Sequence, residues 1–219
     1  MQGNPAGKAE LARLGARSLP VVARGDRFLI AQSLNKLSEF LGLGEDHKPK
    51  LSPDALAARI DLILAGVERF VRQIPDDKFE LKLRNRDRSY RVLCYHVFRI
   101  PEAFMEAMSA GIELKHESLT IPPPDDVQRP TQVADYGRQV RRKFAEWWGS
   151  FPDHSGTKTV STYYGPQPMH EVMERATWHC GQHSRQLMML LEGLSIAPEQ
   201  PLTAADFAGL PMPEKVWDE

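Results

Sequence analysis

Apolar side chains recur at helical spacing in four stretches of this chain. Leu56, Ile60, Ile63, Val67, Phe70 and Ile74 form one stripe, opened by Ser52-Pro53-Asp54 and stopped before Pro75. A capping serine, a proline at the first helical position and an early acid are a helix-start signal. A second stripe, Leu93, His96, Ile100, Phe104 and Ala107, predicts a helix from about Tyr90 to Ala110, with a kink at Pro101. Thr131 is placed to cap a third, whose apolar face is Val133, Val140, Phe144 and Trp147 or Trp148. The fourth runs from Met169 to Leu194 with Val172, Ala176, Leu187 and Leu190 on one face. Between them lie a charged stretch over 76–88, a long loop over 111–130 ending in IPPPDD, and a crossover over 149–168 that contains the strand-like TVSTYY. A proline-rich tail follows, with Phe207, Leu210 and Trp217 as packing anchors. Residues 51–219 are therefore predicted to be a four-helix bundle with an extended C-terminal tail, and the chain to be mainly α.

Residues 1–44 have a different pattern. A helix-like Ala9 to Leu14 precedes SLPVV, an Arg24-Gly25-Asp26-Arg27 turn, the strand-like Phe28-Leu29-Ile30, and a helix capped by Ser33 and ended by Gly42 and Gly44. This order resembles the C-terminal half of a glutaredoxin or thioredoxin fold, and the resemblance makes Pro20 the cis-proline before the hairpin. The first strand, the CxxC motif and its helix are missing, so the segment reads as a small α/β appendage without thiol chemistry of its own. It is either vestigial or the end of a domain whose reading frame begins before Met1. A two-stranded hairpin is marginal alone, so it is expected to pack on the bundle or on another subunit.

Composition narrows the function. The chain has 219 residues, 42% hydrophobic and 26% charged, which suffices for a sizeable core. A net charge of −1 gives no general attraction to nucleic acid or anionic membrane. No apolar run reaches the length of a membrane span, and no leader layout opens the chain, so a cytoplasmic location is expected. Two cysteines, Cys94 and Cys180, cannot build a disulfide framework. Each is a buried packing residue by default, with a redox-sensing pair as the alternative.

The candidate chemistry is histidine. His179 and His183 are four apart on the fourth helix, so both imidazoles leave one face from adjacent turns, a spacing that suits one transition metal. The protease pattern HExxH is excluded because Cys180 stands where its glutamate would be. His170, Glu171 and Glu174 are rotated away, so a third ligand must come from another element, and His96 in the inner stripe of the second helix supplies it. Three protein ligands with an open position describe a catalytic rather than a structural site. His47, His116, His154 and His170 read as surface residues, and Arg138, Arg141, Arg142 and Lys143 as a solvated helix face rather than an anion site.

YHVFRIPEAF, with its mid-helix histidine, and ATWHCGQHSRQL resemble the DinB/YfiT-like metal-binding four-helix-bundle superfamily over about residues 51–194. The resemblance implies that His96, His179 and His183 are a metal triad completed by water, and that a low-molecular-weight thiol is a candidate cofactor. It implies a thiol-dependent S-transferase, or a related hydrolase, in which the metal activates a thiol or a water. Tyr164, Gln182, Gln186 and Arg185 are the candidates to line the open position. Zinc or nickel rank ahead of iron and manganese for three imidazoles and water. The competing reading is a non-catalytic, stress-related bundle, with a homodimer as a candidate assembly, in which the histidines hold a structural metal or form a buried polar cluster. A small molecule or thiol is the expected partner in the first reading. Nucleic acid and membrane are expected in neither.

Overall fold

The computed structural model describes residues 5–16, 20–44, 47–83 and 87–217. The chain divides into two compact units, Met1–Lys48 and Pro49–Glu219.

In the first unit, α1 (Pro5–Leu14) is followed by strands β1 (Val21–Arg24) and β2 (Arg27–Ile30) and by α2 (Leu34–Leu41). The strands form an antiparallel hairpin with Arg24 opposite Arg27, so Gly25 and Asp26 make the turn. Gly25 takes a positive φ of 63°, which favours glycine. Ser33 Oγ accepts from the Lys36 amide at 3.3 Å and opens α2, and Gly42 closes it in the left-handed conformation. The likeness to half a thioredoxin fold has no support beyond this order of elements, and the peptide bond that would make Pro20 cis starts at Leu19, outside the described residues.

The second unit is helical. Four long helices carry it: α3 (Pro53–Gln73), α4 (Tyr90–Ala110), α6 (Pro130–Ser150) and α7 (Met169–Gly193). Between them lie the one-turn α5 (His116–Leu119) and a two-stranded ribbon of β3 (Thr159–Val160) and β4 (Gln167–Pro168). Ser52 Oγ accepts from the Ala55 amide at 3.2 Å and Ser89 Oγ from the Val92 amide at 3.3 Å, which caps α3 and α4. Helix α6 begins before Thr131. Pro130 holds its first position, and Gln132 Oε1 accepts from the amides of Gln128 and Arg129 at 2.9 and 2.8 Å, so a reaching glutamine replaces the expected threonine cap.

Each of α3 and α4 packs chiefly on α6 and α7, so the two helices that follow each other in sequence lie diagonally across the bundle. The consequence for the site is that α4 runs beside α7. The core is the expected stripes, with Leu56, Ile60, Ile63, Val67, Phe70, Phe104, Val133, Val140 and Leu187 all sealed from solvent, and Phe98, outside the expected stripe of α4, is sealed with them. Leu190 is only half-buried, and Leu191 is sealed in its place. Helices α4 and α6 approach closely at Gly137, where an added Cβ would lie 2.3 Å from the Phe98 ring.

The basic residues of α6 are not simply solvated. Arg138 and Arg141 reach the buried carboxylate of Glu68 on α3 at 2.7 and 3.2 Å, and Arg141 also pairs with Asp61 at 2.9 Å. The two helices are neighbours, so charges that look exposed along α6 meet acids across the groove.

The tail after α7 is irregular but held, because carbonyls in a segment without ladder partners need donors. Arg59 donates to the carbonyl of Ala208 at 3.3 Å, Arg69 to that of Gln200 at 3.0 Å, and Gln73 to that of Ala197 at 2.8 Å. No helix among the described residues is long and apolar enough to cross a membrane.

Candidate metal centre

The adjacency of α4 and α7 brings three histidines together. His96, His179 and His183 each offer a ring nitrogen, and these atoms all lie within 4.8 Å of one another. His179 Nε2 and His183 Nε2 are 3.1 Å apart. Two imidazoles sharing one ion at metal–nitrogen distances of about 2.1 Å place their nitrogens about 3.0–3.4 Å apart. The His96 ring meets both others edge-on, its centroid 5.4 Å from that of His179 and 5.1 Å from that of His183.

Hydrogen bonds aim two of the rings. His96 Nδ1 lies 2.7 Å from the Leu119 carbonyl oxygen, which can only accept, so Nδ1 carries the proton and Nε2 the lone pair. His183 Nδ1 lies 2.7 Å from Gln186 Oε1. The Gln186 amide is fixed in that sense because its Nε2 donates to the Val216 carbonyl at 3.0 Å. His183 therefore also protonates Nδ1 and turns the Nε2 lone pair toward His179. His179 Nδ1 is buried with no hydrogen-bond partner among the described residues, so this ring's partner is the neighbouring imidazole. A set of three imidazole nitrogens within one ion's reach, two of them turned by their Nδ1 partners, fits a borderline-soft divalent ion.

Burial lowers the pKa of His96 and His179 well below the ordinary histidine value, and repulsion from the neighbouring histidines adds to it. Arg88 bears on both rings and Arg175 on His179, in the same direction. Both imidazoles are therefore neutral at physiological pH, the form that binds metal.

The residues expected to line the site are distributed differently. Tyr164 is buried, which raises its hydroxyl to about 12, and its ring lies 5.5 Å under the Arg175 guanidinium. Arg175 stands one turn before His179 and donates to the Tyr163 hydroxyl at 3.2 Å. Gln182 donates to the Lys215 and Val216 carbonyls, and Arg185 to those of Pro213 and Glu214, so both side chains hold the tail. Gln186 touches a histidine and the tail at once. Sequence reasoning missed the Leu119 carbonyl, the Val216 carbonyl and Arg175. Only Arg175 left a signal, its i−4 spacing from His179.

Of the histidines read as surface, His116 is exposed, while His154 stacks on Trp148 at 4.1 Å and bonds Asp54 at 2.7 Å. His170 Nε2 meets the Leu51 carbonyl at 2.7 Å. These rings are part of the packing at the start of α3 and α7. Cys94 and Cys180 are free and fully buried, and burial pushes both thiols up, away from the thiolate.

No protein-family profile matches the chain, and no curated protein does. Among solved structures it is similar to the crystal structure of the mycothiol-dependent maleylpyruvate isomerase, with a TM-score of 0.45 and 14% identity. The similarity covers 60% of this chain and 60% of that one. Likeness at this level transfers no residue roles.

Proposed function

We propose that His96, His179 and His183 hold one divalent metal ion, and that the protein uses it as a thiol-dependent S-transferase or a related hydrolase. The observation that carries the metal reading is the pair of directed imidazoles: the Leu119 carbonyl and Gln186 Oε1 accept hydrogen bonds from Nδ1 of His96 and His183, which leaves Nε2 of each for an electrophile. Burial keeps His96 and His179 neutral, ready to donate without first losing a proton. A bound divalent ion lowers the pKa of a coordinated thiol or water and so supplies a nucleophile at neutral pH. The protein's part is to hold the imidazoles in place and to limit water around them. Thiol use is supported by the resemblance of YHVFRIPEAF and ATWHCGQHSRQL to the DinB/YfiT-like superfamily.

A buried histidine cluster without metal is the competing reading, favoured by the 3.1 Å Nε2–Nε2 distance, which also suits a hydrogen bond between two imidazoles. Elemental analysis of untagged protein separates the two. About one zinc or nickel ion per chain is expected, lost in a His179→Ala/His183→Ala variant. No metal in the purified protein, and none taken up on titration with zinc or nickel, would overturn the proposal. Loaded protein is then assayed with a small thiol and an electrophile, and the absence of conjugation or hydrolysis would leave a structural metal.

A further inference from the structure

The last stretch of the tail is bound to the same helix that carries two of the histidines. Four consecutive carbonyls, of Pro213, Glu214, Lys215 and Val216, accept from Arg185, Arg185, Gln182 and Gln182 in turn. Met212 lies against Gly181 one turn away, 3.3 Å from where a Cβ would stand. The Val216 carbonyl accepts a second bond from Gln186. Gln186 is buried, 5% exposed, and its other end accepts from His183 Nδ1.

An amide has one acceptor and one donor end, and the two ends are not interchangeable. With the tail in place, the Val216 carbonyl fixes Nε2 on its own side and so presents Oε1 to His183. Without the tail, nothing in this bond pair prevents the amide from turning over. A donor would then face Nδ1, and the Nδ1 proton would move to Nε2, where it blocks the lone pair aimed at the ion.

We infer that the segment 212–217 is a strap that tunes the metal site through Gln186, so that strap docking and metal binding strengthen each other. This rests on the metal reading above. Gln186 is a positioning residue: it acts on the ion through His183. Linkage makes the effect reciprocal, so metal must hold the strap as much as the strap holds metal.

The test is a zinc titration, against a competing chromophoric chelator, of the full chain, Gln186→Leu, Gln186→Glu and a chain ending at Met212, with circular dichroism to show that each is folded. Gln186→Leu removes the acceptor and is expected to lose about 10–100-fold in zinc affinity. Gln186→Glu keeps an acceptor on His183 whether or not the strap is docked. It is expected to bind zinc more tightly than Gln186→Leu, because a carboxylate partner keeps the His183 lone pair on Nε2, and to lose the response to the strap, so that trimming the tail in this background changes nothing. In the native background trimming weakens zinc. Zinc is also expected to slow tryptic cleavage after Lys215 in the full chain and not in Gln186→Glu. Tight zinc binding by the native chain, unchanged in Gln186→Leu and in the trimmed chain, would overturn the strap and leave the metal site standing. Absence of zinc binding by the native chain would overturn both.

Discussion

The thiol of Cys180 on α7 donates to the Val97 carbonyl on α4 across 3.5 Å. Val97 is the residue whose helical partner would be position 101, and Pro101 has no N–H to give. The proline orphans a carbonyl in the core, and a cysteine from the neighbouring helix satisfies it. Both residues adjoin ligand candidates, Val97 next to His96 and Cys180 next to His179, so this bond sets the two helices in register at the site.

Cys180→Ala is therefore expected to cost about 1 kcal/mol of stability in urea denaturation. In a Pro101→Ala background the restored N–H serves Val97, and the same substitution is expected to cost less. Equal costs in the two backgrounds would show that the bond contributes nothing. Neither cysteine is expected to react with a thiol reagent before unfolding, because both are sealed and their thiols stay protonated.

The neutral histidines make stability depend on pH in metal-free protein. The folded pKa values of His96 and His179 lie below the unfolded value, so on acidification the unfolded chain takes up protons first. Stability is expected to be flat in this respect above about pH 6.5 and to fall by about 1.4 kcal/mol per pH unit for each histidine below it. The check is the difference in urea midpoints between the native chain and a histidine variant from about pH 5.5 to 7.5, because Glu174, pushed up to about 7 by burial, titrates in the same window in both. A His96→Gln variant should show the shallower slope.

Gly137→Ala is expected to destabilise the bundle by about 1–3 kcal/mol, although alanine is the better helix former by about 1 kcal/mol. The new Cβ would fall under 3 Å from several carbons of the Phe98 ring, and that ring is fully buried, so it must shift against its core neighbours rather than into solvent. Thermal or urea denaturation checks the sign. Phe98→Leu in the Gly137→Ala background is expected to recover part of the loss.

Glu68→Ala is expected to cost about 2 kcal/mol, because a buried carboxylate serving Arg72, Arg138 and Arg141 is lost. The cost stays moderate because the three guanidinium groups remain partly exposed, at 32%, 63% and 25%, and can turn to water. Added salt should narrow the difference between the native chain and the variant in denaturation experiments.

The helices were readable residue by residue. Ser52 before Pro53, the stripe from Leu56 to Ile74, and the apolar runs through Tyr90–Ala110 and Met169–Gly193 depend only on neighbours a few positions away, and the structure has these helices. The spacing of His179 and His183 is likewise a local fact, since four residues make about one turn. The start of α6 was misplaced because Gln132 reaches back to amides that no short motif marks.

Tertiary structure decided everything that depends on two distant stretches meeting. That α4 lies beside α7 rather than beside α3 follows from which stripes pack, and the stripes are alike in composition. The aim of His96 depends on the Leu119 carbonyl and that of Gln186 on the Val216 carbonyl, and a backbone carbonyl has the same chemistry at every position. Side-chain patterns along a chain encode periodicity, whereas the partners that orient these histidines are main-chain atoms placed by the path of a loop and a tail.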